Sequence, residues 1–168
     1  QLQRLLGDKW VVGNFGKSAR TLLDAGDFPY QTTGLLKEAL EFKPDVVIIM
    51  LGTNDSKPQN WKFKDSFVAD YKDLIGKFRA LGNKPRIFVC RPVPVVGEER
   101  FTIRKKVVEE QMPLIAQLAK EEGTGVIDMH AALNGRPELL PDGVHPNVAG
   151  AALMAKTAYR SLSGKSPD

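Results

Sequence analysis

Three short apolar runs, each followed by a segment with helical periodicity, constrain this chain more than any other feature. Asp45 to Leu51 carries Val46-Val47-Ile48-Ile49-Met50-Leu51, continuous rather than alternating, as in a strand buried on both faces. Arg86 to Cys90 and Gly125 to Met129 read the same way. Between them, Thr32 to Phe42 places Leu35, Leu36, Ala39 and Leu40 on one helical stripe. Ser66 to Leu81 spaces Phe67, Tyr71, Leu74, Phe78 and Leu81 at the same period and stops at Gly82. Ile103 to Glu122 is the longest helical segment, and Pro113 inside it predicts a kink or break. Asn147 to Leu162 is an Ala-rich helix with Pro146 at its first turn. Strands alternating with helices in this way predict an α/β fold, three layers α/β/α around a mostly parallel sheet.

The ends add two elements. Gln1 to Leu6 has leucines at helical spacing but no capping residue before them, and Lys9 to Asn14 (Trp10-Val11-Val12) predicts a short strand ending at Gly13 to Gly16. Residues 1–163 read as one domain, and Gly164 to Asp168 as a polar, disordered tail. Net charge is +4, without an aromatic-interleaved basic stripe, which argues against a nucleic-acid partner. The single cysteine, Cys90, excludes an internal disulfide or a cysteine-based zinc cluster and reads as a buried, inert thiol. No apolar run reaches membrane-spanning length, so no membrane partner is expected.

The chemistry concentrates near the C-terminus, in Asp142-Gly143-Val144-His145-Pro146. Residues three apart on a turn share a face. Asp142 can therefore hold one imidazole nitrogen of His145 while the other addresses a hydroxyl, the base-and-orienter half of a nucleophilic hydrolase. Sites in parallel sheets form beyond the carboxyl ends of strands. Two more polar clusters follow strands there, Asn14-Phe15-Gly16-Lys17-Ser18 and Gly52-Thr53-Asn54-Asp55. Trp61, Arg91 and Phe101 lie in loops after strands, where substrate contacts are expected; Trp61 suits either a sugar ring or loop packing. Asp55 is expected to cap the next helix and no more. His130 reads as a surface or loop residue, and the two histidines, without a carboxylate cluster, make no metal-ligand set.

Gly16, Asn54 and the Asp142/His145 pair stand in the order of the Gly, Asn and His blocks of the SGNH-hydrolase (GDSL esterase/lipase) superfamily, which the chain resembles over essentially its whole length. The run Leu140-Pro141-Asp142-Gly143-Val144-His145-Pro146-Asn147 and Gly150-Ala151-Ala152 look most like the carbohydrate-acting, sialate O-acetylesterase-like branch. The resemblance implies a flavodoxin-like sheet and a serine esterase that removes O-acetyl groups from a carbohydrate through an acyl-enzyme, with no metal and no cofactor. It further implies that the Gly16 backbone N–H and the Asn54 amide receive the oxyanion, that His145 is the base and that Asp142 orients it. Its partner would be a small-molecule or oligosaccharide ester, and secretion or the periplasm is compatible with it.

One block departs from the pattern. The family's Gly-Asp-Ser, source of the nucleophile, is missing: none of Ser18, Ser56, Ser66, Ser161, Ser163 and Ser166 follows Gly-Asp. The expectation is that about 30 residues, one strand–turn–helix unit, precede Gln1. That strand would lie between those of Lys9–Asn14 and Asp45–Leu51, and the chain without it would be inactive and poorly stable. Two rival readings remain, a carbohydrate-binding relative that lost its nucleophile and a flavodoxin-like nucleotide-binding or signalling domain. The second lacks a phosphate cradle, since Gly13 to Gly16 has no Gly-x-Gly-x-x-Gly spacing.

Overall fold

The apolar runs form β1 (Val46–Ile49), β2 (Arg86–Arg91) and β3 (Gly125–Asp128) in a computed structural model that describes residues 1–166. They pair in parallel in the order β1-β2-β3, with Val47 beside Ile87 and Cys90 beside Ile127. The helices are α1 (Leu2–Leu6), α2 (Gly34–Glu41), α3 (Pro58–Trp61), α4 (Phe67–Arg79), α5 (Lys105–Glu122), α6 (Met129–Leu133) and α7 (Val148–Ser163).

Alternation of side chains along each strand sorts the core into two faces. Val47, Ile49, Ile87 and Val89 join Leu36 of α2, Phe67, Tyr71, Leu74 and Phe78 of α4, and Ile115 and Leu118 of α5. Phe88, Cys90 and Ile127 meet Met129, Leu133, Leu140 and Ala158 on the opposite side, with Leu2 of α1 and Met154 of α7 against them. The layers are therefore helix, sheet, helix, as the pattern requires. Tyr71 is fully buried and donates its hydroxyl to Ile49 O at 3.4 Å. Cys90 is buried, and burial pushes its thiol up to about 12, which keeps it protonated and inert.

One local expectation fails and another fails in part. Lys9–Asn14 forms no strand: Trp10, Val11 and Val12 are exposed, at 37%, 76% and 38%. Strand propensity is expressed only where a neighbouring ladder takes up the backbone groups. Here the side chain of Gln3 does so in part, donating to Trp10 O and accepting from Val12 N–H. Pro113 does not break α5, which runs unbroken from Lys105 to Glu122. Its flanks hold it, since Val108, Gln111, Ile115 and Leu118 are buried on one stripe. Packing on that scale offsets the ~3 kcal/mol that an interior proline costs. The polar tail expected at Gly164 to Asp168 lies partly outside the described residues; within them α7 ends at Ser163 with Gly164 in the left-handed conformation.

Candidate active site

The Asp142–His145 turn is organised by its own backbone. One carboxylate oxygen of Asp142 accepts from Val144 N–H at 3.0 Å and from His145 N–H at 2.7 Å. The other lies 2.8 Å from His145 Nδ1. These bonds, the His145 and Val144 amides foremost and the imidazole next, hold the Asp142 carboxyl well below the usual carboxylate range. An ionised carboxylate favours a proton on the facing Nδ1, and in the neutral imidazole that tautomer leaves Nε2 free to accept. The imidazole stands 69% exposed.

Gly143 makes the turn possible. Its φ of +85° is left-handed, and a Cβ there would lie 2.5 Å from Val96 O. Val96 N–H in turn donates to Gly143 O at 2.9 Å, so the loop between β2 and α5 is pinned to the turn. Immediately downstream, Asn147 caps α7 by accepting from Gly150 N–H.

The second cluster follows β1. Asn54 donates its side-chain amide to Arg20 O at 3.2 Å, tying the turn after β1 to the segment that follows Gly16. Asp55 is the stronger tie and corrects its reading as a cap. It is wholly buried and accepts from Leu22 N–H at 3.0 Å and Leu23 N–H at 2.7 Å. Burial pushes its carboxyl up to about 6 against the opposing pull of those amides. Gly16 N–H donates to Asn14 Oδ1 at 3.0 Å, and Phe15 O accepts from the Tyr30 hydroxyl.

Two supporting residues escaped the sequence reading. Gln111, fully buried on α5, donates to Gly52 O at 2.9 Å; Gly52 has φ +119°, and a Cβ on it would lie 2.5 Å from Gln111 Oε1. Ser56, also buried, accepts from Arg104 N–H at 3.1 Å and so joins the Asn54 turn to the start of α5. The signal for Gln111 was legible: one amide interrupts an apolar stripe of Val107, Val108, Ile115 and Leu118.

The remaining candidates are held by protein partners. Arg91 pairs with Asp128 at 2.6 Å at the ends of β2 and β3, and Asp128 also caps α6. Trp61 packs edge-to-face on Phe67 and its indole N–H donates to Glu110. His130, half-buried, lies within α6 rather than in a loop. Among the described residues no group of three or more His, Cys, Asp and Glu side chains is placed to hold a metal ion.

With fold and geometry in view, the chain belongs to the GDSL-like lipase/acylhydrolase family, whose model matches residues 1–153. It is 42% identical to an acetylxylan esterase from Xylanibacter ruminicola, over 93% of this chain and 36% of that protein. An acetylxylan esterase from Geobacillus stearothermophilus is 28% identical over 75% of this chain and 63% of its own length. The chain thus spans about a third of the first relative and less than two thirds of the second. The solved structure of a carbohydrate acetylesterase from Sinorhizobium meliloti shares the fold, with a TM-score of 0.78 at 21% identity, over 97% of this chain and 82% of that one.

Proposed function

We propose that this protein is a serine-type ester hydrolase that removes O-acetyl groups from a carbohydrate, with Asp142 and His145 as orienter and base and Gly16 and Asn54 as oxyanion donors. The observation that carries the reading is the Asp142–His145 pair, which is bonded in the sense that a general base requires. His145 Nε2 takes the proton of a serine hydroxyl as its oxygen attacks the ester carbonyl. Negative charge then gathers on the carbonyl oxygen. The Asn54 amide has a second N–H proton to offer it, and Gly16 N–H reaches it by exchanging its Asn14 partner. His145 returns the proton to the departing sugar hydroxyl, and water repeats the sequence on the acyl-enzyme.

The nucleophile in this proposal lies outside the 168 residues. Among the described residues no serine hydroxyl is hydrogen-bonded to His145, and Ser56 is committed to Thr53 O and Arg104 N–H. The edge of β1 supports the same placement, because among the described residues β1 pairs only with β2 and offers a ladder to a further strand. Acetyl groups on a xylan-type or other O-acetylated saccharide are the substrate class favoured by the acetylxylan esterase relatives. Assignment to the sialate O-acetylesterase-like branch rests on the Leu140–Asn147 run. Arg91 and Trp61 support the site in this reading rather than touching substrate.

The test is acetate release from acetylated xylan by the chain alone and by the chain extended at its N-terminus with a strand–turn–helix segment bearing Gly-Asp-Ser. Release by the extended protein, lowered by about a hundred- to ten-thousand-fold in His145→Ala, is expected. Release by the chain alone that disappears in Ser18→Ala overturns the placement of the nucleophile. A folded, extended protein that binds acetylated saccharide but releases no acetate makes it the non-catalytic binding relative.

A further inference from the structure

We infer that Phe101 is the sugar-stacking residue of this site, a specificity determinant that holds the saccharide ring beside His145; this rests on the carbohydrate esterase reading above. The loop between β2 and α5 spans both halves of the site. At one end Val96 N–H donates to Gly143 O in the His145 turn, and at the other Arg104 N–H donates to Ser56 Oγ in the Asn54 turn. Val95 and Ile103 of the loop are buried against Val144 and Val108. The segment is therefore packed down at both sides of its tip.

Among the large apolar residues of this loop, Phe101 is the exposed one. It is 56% exposed, and its ring meets the His145 imidazole edge-to-face with centroids 5.5 Å apart. Phe101 and Thr102 both occupy the left-handed region, at φ +56° and +59°. A bulky residue followed by a β-branched one in that conformation is strained, and such strain persists only where the surroundings over-determine it. Burying the ring would be the ordinary outcome for an aromatic in a packed loop; here the backbone is instead held in a costly shape that leaves it out. An exposed aromatic face with a negative quadrupole suits the polarised C–H bonds on one face of a pyranose. A ring seated there lies next to the base that must return a proton to its leaving oxygen.

The experiment measures binding without turnover, so that it stays readable whether or not acetate is released. Xylotriose is titrated into the chain while the His145 and Phe101 ring resonances are followed by NMR. Saturable shifts in both are expected, with affinity lowered about tenfold in Phe101→Ala and retained in Phe101→Trp. Phe101→Leu, which keeps apolar bulk without the aromatic face, should fall with the alanine variant. Unchanged affinity in Phe101→Ala overturns the inference even if the free His145 resonance moves, because the ring then only props the imidazole. Absence of saturable shifts in the folded wild-type chain also overturns it.

Discussion

The two halves of the proposed site are built by opposite means. The Asp142–His145 half is local: one carboxylate gathers two amides and an imidazole from within three residues, on an exposed turn. The Gly16–Asn54 half is assembled over long range. Its ties are Asn54 to Arg20 and Asp55 to Leu22 and Leu23, each more than 30 residues apart in sequence and the latter two wholly buried. A local half needs little beyond its own turn, whereas a long-range half depends on the packing of everything between its parts. The proposed base and the proposed oxyanion donors should therefore fail differently when the molecule is perturbed.

The largest expected effect is on chemistry in the local half. In the extended, serine-bearing protein, His145→Ala should lower kcat for acetate release by about a hundred- to ten-thousand-fold. Thermal stability should stay unchanged, because the side chain is exposed. A large fall in melting temperature in that variant would show that the turn supports the fold and erase the contrast. Asn54→Ala comes next, with a loss of about a hundred- to a thousand-fold in kcat. Here some destabilisation should accompany the loss, since the Asn54 amide also holds Arg20 O. Steady-state kinetics beside calorimetry separates the two outcomes.

The same contrast decides what could be read from residues alone. The Asp142–His145 geometry follows from a spacing of three and a glycine that permits the turn, so it was legible. The three strands and the long helices were legible for a similar reason, because burial on both faces or on one stripe writes itself into the pattern. Lys9–Asn14 was misread because its strand-like composition says nothing about whether a ladder lies beside it. Asp55 was misread because an Asp after a strand has a common local use as a cap, while its actual partners, Leu22 and Leu23, lie far upstream. The possible break at Pro113 does not occur because the buried residues that sustain α5 around it belong to three dimensions.

Asp55 offers the next test. Asp55→Ala leaves two buried amides without an acceptor and should destabilise the chain by about 2–4 kcal/mol in urea titrations. The pH dependence has a definite sign. Because the folded carboxyl titrates at about 6, above its ordinary value near 3.8, the folded state binds the proton more tightly than the unfolded. Its contribution is fully present below about pH 4 and is lost as pH rises through 6, a span on the order of 3 kcal/mol. Asp142, held low by its amides, stays ionised across that window. Between pH 4 and 6 the Asp55 contribution should therefore vary in the wild type and vanish from the alanine variant. A variant that tracks the wild-type pH curve would detach Asp55 from the effect.

The smallest expected effect concerns a residue on the flank of the long-range half. Trp61 packs its indole on Phe67 and donates to Glu110 at 3.3 Å through a partly exposed bond. Trp61→Phe keeps an aromatic ring against Phe67 and removes only that bond. The change should cost about 1 kcal/mol or less, because an exposed hydrogen bond is largely replaced by one to water. Activity of the extended protein on acetylated xylo-oligosaccharides should stay within about twofold of the parent, a ratio worth less than about 0.5 kcal/mol. A selective rise in KM for the oligosaccharide, with ethyl acetate hydrolysis unaffected, would place Trp61 against substrate. The saccharide would then be gripped from the Asn54 side as well as from the His145 side, and the contrast between a local and a long-range half would extend to two substrate-contacting walls.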